Sequence, residues 1–137
     1  MRLTMTLSLP RVPSSVTRAR HALITLLSLT NTGEEVRGHL AVLISEACAN
    51  AVAHANPASQ VDINVVIDDD ECVLEVGNRG STPDGAGLHA ALPDPLSSGG
   101  RGLPLIAALA DTAAFANGHP GQVLLRITKR LTRQPQR

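Results

Sequence analysis

Residues 3 to 9 alternate Leu3, Met5, Leu7 and Leu9 against Thr4, Thr6 and Ser8, the two-residue period of a strand with one buried face. Pro10 and Pro13 end that pattern. From Ser14 the period lengthens: Val16, Ala19, Leu23 and Leu26/Leu27 recur at spacings of three and four, which predicts an amphipathic helix. Ser14 or Ser15 stands where a cap is wanted, and Arg18 and Arg20 occupy the exposed face. Thr30-Asn31-Thr32-Gly33 is a break. Glu34 and Glu35 then suit the positive end of a second helix, which turns Val36, Leu40, Leu43 and Ala47 inward and runs on to His54. Asn56-Pro57 stops it, because proline disfavours helical geometry in the residue before it.

Two strands follow, Val61 to Ile67 and Cys72 to Val76, joined by Asp68-Asp69-Asp70-Glu71. Four acids in a row suit a cation or a solvated hairpin turn, and the turn is the simpler expectation. From Gly77 to Gly102 the chain is dense in Gly, Pro and Ser without sustained periodicity; a loop of that length in a small domain suggests a lid over a ligand. Leu103 to Ala110 reads as a short helix with Pro104 in its first turn. Thr112 to Ala116 and Gln122 to Leu131 read as closing strands linked through residues 117 to 121. The resulting order is strand, helix, helix, strand, strand, loop, helix, strand, strand. It predicts an α+β fold, a two-layer α/β sandwich whose mixed, largely antiparallel sheet carries its helices on one face.

With 137 residues the chain is expected to form one domain over 1–131, followed by a basic tail, 132–137, that is expected to be disordered. Aromatic residues make up 1% of it, a single Phe115, so the core must be built from Leu, Val, Ile and Ala. That scarcity argues against base stacking on single-stranded nucleic acid. Twelve basic residues balance twelve acidic ones, so no global field favours nucleic acid or an anionic membrane. Cys48 and Cys72 form no CxxC or Cys/His spacing and read as buried hydrophobes of a reduced compartment. No apolar run approaches the ~18 residues of a membrane span, and the first residues lack a signal-peptide core, so the expected location is the cytoplasm.

Three segments carry chemistry. Glu46, Asn50 and His54 stand four residues apart on an Ala-rich helix, on one face. An acid and an Asn one turn apart can orient a hydroxyl and offer a hard oxygen to Mg2+; the same triplet also suits a plain polar stripe on a core helix. Ser97-Ser98-Gly99-Gly100-Arg101-Gly102-Leu103 is a glycine cluster that leads into a helix, where backbone N–H groups and Arg101 can meet an anion. It has neither the P-loop spacing nor a strand leading into it. Glu75-Val76-Gly77-Asn78-Arg79-Gly80-Ser81-Thr82-Pro83 lies where a strand gives way to the long loop; a polar side chain there can read a base edge, or simply make a turn.

In order and spacing these segments resemble the N, G1 and G2 boxes of the GHKL ATPase superfamily, over nearly the whole chain. The branch they most resemble is that of the stand-alone anti-sigma serine kinases. There too a strand and a Pro-rich step precede an Arg-bearing helix, here Pro10 to Arg20, and the N box ends like Asn50-Ala51-Val52-Ala53-His54-Ala55. The resemblance implies a histidine-kinase-like ATP-binding domain in which Glu46 is the catalytic base and Asn50 the Mg2+ ligand. It places His54, Asn78, Gly80, Thr82, Gly99, Gly100, Arg101, Gly102 and Leu103 with Asn50 around ATP. Asn78 stands where the family has Asp, Thr82 where it has Gly, and Gly121-Gln122 where it commonly has Gly-Thr. Asn keeps an acceptor oxygen and adds an NH2 donor for the adenine edge. The implied function is an ATP-dependent protein serine/threonine kinase that binds a sigma factor and phosphorylates an anti-anti-sigma antagonist; the alternative is a non-catalytic, nucleotide-gated module that sequesters a regulatory protein. Members of this branch often dimerise, and the edge of the first strand offers a surface for a homodimer.

Overall fold

The computed structural model describes residues 1–54, 60–79, 102–117 and 122–132. Strand β1 (Leu3–Pro10) leads to helices α1 (Ser14–Leu27) and α2 (Glu34–His54); β2 (Gln60–Ile67) and β3 (Glu71–Arg79) follow, then α3 (Gly102–Leu109), β4 (Thr112–Asn117) and β5 (Gln122–Arg130). The strands form a five-stranded sheet in the order β1-β2-β3-β5-β4. Each described pairing is antiparallel, so the largely antiparallel sheet expected from the sequence is antiparallel at every described ladder.

The alternation read from the sequence becomes rows across the sheet. Leu7 pairs with Ile63, Ile63 with Val76, Val76 with Leu125 and Leu125 with Phe115. The row beside it is Met5, Val65, Leu74, Ile127 and Ala113. These rows meet Ala19, Leu23 and Leu27 of α1, Leu40, Leu43, Ile44 and Ala47 of α2, and Leu103 and Ile106 of α3 in a single core. The opposite face carries a polar row: Thr6, Asn64, Glu75 and Arg126 align across it, with Ala114 at its end. There the Thr6 hydroxyl donates to Asn64 Oδ1 at 3.2 Å, and Asn64 Nδ2 donates to Glu75 Oε1 at 3.2 Å. The fold is therefore two layers, one of helices and one of sheet.

Two local expectations change. Strand β3 continues to Arg79, so Gly77, Asn78 and Arg79 belong to the sheet instead of the loop: β5 reaches Gln122 in register and supplies ladder partners that sequence alone does not show. Neither Ser14 nor Ser15 caps α1, whose N-cap is Pro13 without a side-chain bond. The buried Ser15 hydroxyl instead donates to the Pro10 carbonyl at 2.6 Å, fixing the corner between β1 and α1.

The acidic stretch is a turn. Asp68 Oδ1 accepts from the backbone N–H groups of Asp70 and Glu71 at 2.9 and 2.8 Å. Cys48 and Cys72 are buried free thiols, and burial pushes them up to about 11 and about 12. At that height neither is a nucleophile near neutral pH. No described helix is long and apolar enough to cross a membrane.

Candidate functional site

The ends of the elements define two poles. At one, the Gly33 N–H donates to the Thr132 carbonyl at 2.7 Å, so α2 begins beside the end of β5. Lys129 Nζ donates to the Leu109 carbonyl at 2.6 Å and satisfies the C-terminal end of α3 at that same pole. Both helices therefore have their other ends at the opposite pole, where Pro10 pairs with Gln60 and Val61 with Asn78. Arg11 lies at that pole and donates from Nη2 to the Ala53 carbonyl of α2 at 3.5 Å. The last turn of α2, the first turn of α3 and the end of β3 thus converge on one end of the sheet.

Helix α2 lies between the other two and packs against both. Its sheet-facing side is fixed by buried Val36, Leu40, Leu43, Ile44, Ala47, Cys48 and Ala51. Its α1 flank is marked by Ser45, whose hydroxyl donates to the Ala41 carbonyl at 2.7 Å and accepts from Arg20 Nη1 at 3.3 Å. At ~100° per residue, Glu46 and Asn50 fall on the remaining flank, toward α3. Both are half-buried. That placement suits a pair that must meet a ligand held between α2 and α3 while the helix keeps its core face.

The expected site residues divide into those the structure positions and those it leaves out. Glu46 and Asn50 stand one turn apart as expected. His54 is the last residue of α2, Asn78 sits in β3 between Val61 and Val123, and Gly102 opens α3; the side chains of His54 and Asn78 lie outside the described residues. Leu103, expected at the nucleotide, is 4% exposed and joins Ile106 in the core, anchoring the first turn of α3. Gly80, Thr82, Gly99, Gly100 and Arg101 lie outside the described residues. Sequence reasoning missed Arg11, because its tie to Ala53 spans 42 residues and no local pattern announces it.

The donor set fits a hard cation carried by a phosphate ligand. Asn50 offers a carboxamide oxygen, and among the described residues no cluster of three His, Cys, Asp or Glu side chains forms a closed metal cage. Mg2+ characteristically takes few protein oxygens and completes its shell with phosphates and water. One half-buried Asn beside a half-buried Glu matches that habit better than it matches a transition-metal site.

Comparison with known proteins agrees with this geometry. Among solved structures, the RsbU and RsbW domains of Rv1364c from Mycobacterium tuberculosis superpose with a TM-score of 0.73 at 19% identity, covering 96% of this chain and 33% of that one. The chain thus spans about a third of that protein. The SiaB–SiaC complex from Pseudomonas aeruginosa gives a TM-score of 0.60 at 19% identity, covering 90% of this chain and 88% of that one. At these identities the likeness is one of fold. No curated protein matches the chain. The family model of the histidine kinase-like ATPase domain matches residues 9–129, from the end of β1 to within one residue of the end of β5, and the chain belongs to that family.

Proposed function

We propose that the chain binds ATP with Mg2+ between α2 and α3 and acts as an anti-sigma regulatory factor with protein serine/threonine kinase activity, whose substrate is an anti-anti-sigma antagonist. The observation that carries this reading is the placement of Glu46 and Asn50 on the α3 flank of α2, at the pole where β3 delivers Asn78. When bound, Mg-ATP supplies the phosphoryl group, with its charge neutralised by the cation. Asn50 would contribute a carboxamide oxygen to the metal shell, and Glu46 would accept the proton of the Ser or Thr hydroxyl whose oxygen takes the γ-phosphoryl group as ADP leaves. Gly99, Gly100, Arg101 and Gly102 would line the phosphates with N–H groups and one guanidinium, Gly80 and Thr82 would border the base pocket, and Asn78 would meet the adenine edge. The edge of β1 is the surface offered to a second copy, and a sigma factor would be the protein sequestered.

Mg-ATP-dependent labelling of a cognate antagonist tests the assignment. Glu46→Ala should lower transfer by roughly 10²–10⁴-fold, as loss of a general base does, while ATP still binds. An antagonist labelled equally by the variant would remove Glu46 from catalysis. The second reading is a nucleotide-gated binding module without transfer, favoured by Asn78 and Gln122 standing where the resemblance expects Asp and Thr. Tight ATP binding with no labelling by the wild-type protein would select it.

A further inference from the structure

The last four carbonyls of a helix have no intrahelical donor, so a C-terminal turn frays unless something outside the helix ties it down. In α2 that turn begins immediately after Asn50 and ends at His54. Arg11, in the link between β1 and α1, reaches it from the α1 side and donates to the Ala53 carbonyl. The guanidinium also places a full positive charge at the negative end of the α2 dipole. At 3.5 Å the bond is long, so this charge–dipole attraction contributes alongside the directional hydrogen bond.

Two observations single Arg11 out. Its Nε is buried and has no hydrogen-bond partner, so the Ala53 carbonyl is what fixes the guanidinium among the described residues. And α2 ends without an acid of its own: from Ala47 to Val61 the sequence contains no Asp or Glu, and neither does the link from Pro10 to Arg20. No neighbouring carboxylate in those segments competes for Arg11. By contrast Arg20, on the same flank, is taken up by Ser45.

We infer that Arg11 is a positioning residue for the metal limb of the site: by tying the last turn of α2 it holds Asn50 in the orientation that meets Mg2+. The inference rests on the Mg-ATP reading above and adds a residue to it that touches neither nucleotide nor metal. Arg11 acts through the helix end, so its removal should loosen the Mg2+ contact and leave the rest of nucleotide binding alone.

The test is ATP affinity by isothermal titration in Mg2+ and in EDTA, for wild type, Arg11→Met and Arg11→Lys. The Mg2+-dependent gain should shrink about two- to fivefold in Arg11→Met, the range expected for a helix-end charge, with affinity in EDTA unchanged. Arg11→Lys, which keeps the charge, should recover much of it. A second readout needs no nucleotide: amide hydrogen exchange in the last turn of α2 should rise by a similar factor in Arg11→Met while β2 and β3 stay protected. An equal loss in Mg2+ and EDTA, an unchanged gain, or unchanged exchange at the helix end each overturns the inference. Wild-type protein that binds no ATP at all overturns the nucleotide reading first, and this inference with it.

Discussion

Asp68 shows how far a single side chain in this chain can be read. Its carboxylate closes the β2–β3 turn, and the bonds it accepts from the Asp70 and then the Glu71 backbone hold its pKa below the ordinary value; Arg2 and the amino terminus add smaller attractions. A group whose folded pKa is depressed contributes stability that is present above its unfolded pKa and is lost as pH falls through its folded one. A carboxyl-carbon NMR titration should therefore give Asp68 a midpoint below the aspartate reference of about 3.9. The stability difference between wild type and Asp68→Asn should shrink as the solution is acidified below that reference; a difference independent of pH would show that the carboxylate does not fasten the turn. The sequence revealed this turn because its cause is local, an acid two and three residues before the N–H groups it accepts from. The role of Ser15 was not legible, since its partner is the Pro10 carbonyl behind it and the N-cap preference points forward. Glu46 and Asn50 were legible as a pair because helical spacing alone puts them together. What they face required α1 and α3 to be placed; α1 packs through Ala19, Leu23 and Leu27, and the Arg20–Ser45 bond marks its side of α2.

At the scale of elements, periodicity identified each helix and strand, and the differences lie at ends. Strand β3 reached Arg79 because a ladder with β5 rewards extension, a contact between segments far apart in sequence. Helix α2 presents the opposite case, a long helix that forms despite an internal glycine. Gly38 costs backbone entropy in its first half, and a methyl group at its Cβ would meet nothing within 4 Å. Gly38→Ala should therefore stabilise the fold by about 0.5–1 kcal/mol, read as a higher urea midpoint at unchanged m-value. A loss of stability would mean that the outer surface of α2 is more closely covered than its open Cβ environment implies. The substitution also separates helix stability from helix-end geometry, because Gly38 lies near the start of α2 and Asn50 near its end. A gain from Gly38→Ala should leave the proposed Mg2+ contact unaltered, whereas Arg11→Met should weaken it.

Taken whole, the molecule divides its labour between poles. The pole that joins the start of α2 to the end of β5 is closed by backbone bonds, by the acidic turn and by Lys129 on the end of α3. The opposite pole brings together the ends of β3 and α2 and the start of α3, the elements whose flanking segments carry the glycines and polar residues singled out in the sequence. A ligand that binds only the folded state stabilises it by mass action. At ~100 times the dissociation constant, ATP with Mg2+ should stabilise the domain by roughly 2.7 kcal/mol. In a domain of this size that corresponds to a rise of several degrees in melting temperature. The gain should be smaller in EDTA if Asn50 helps to hold the cation, and Asn50→Ala should bring the Mg2+ value down to the EDTA value. Hydrogen exchange adds the location: protection should increase at the last turn of α2, the first turn of α3 and the end of β3, and stay constant at the closed pole. Protection that rose at the closed pole instead would place the ligand at the wrong end of the sheet and remove Glu46 and Asn50 from its site.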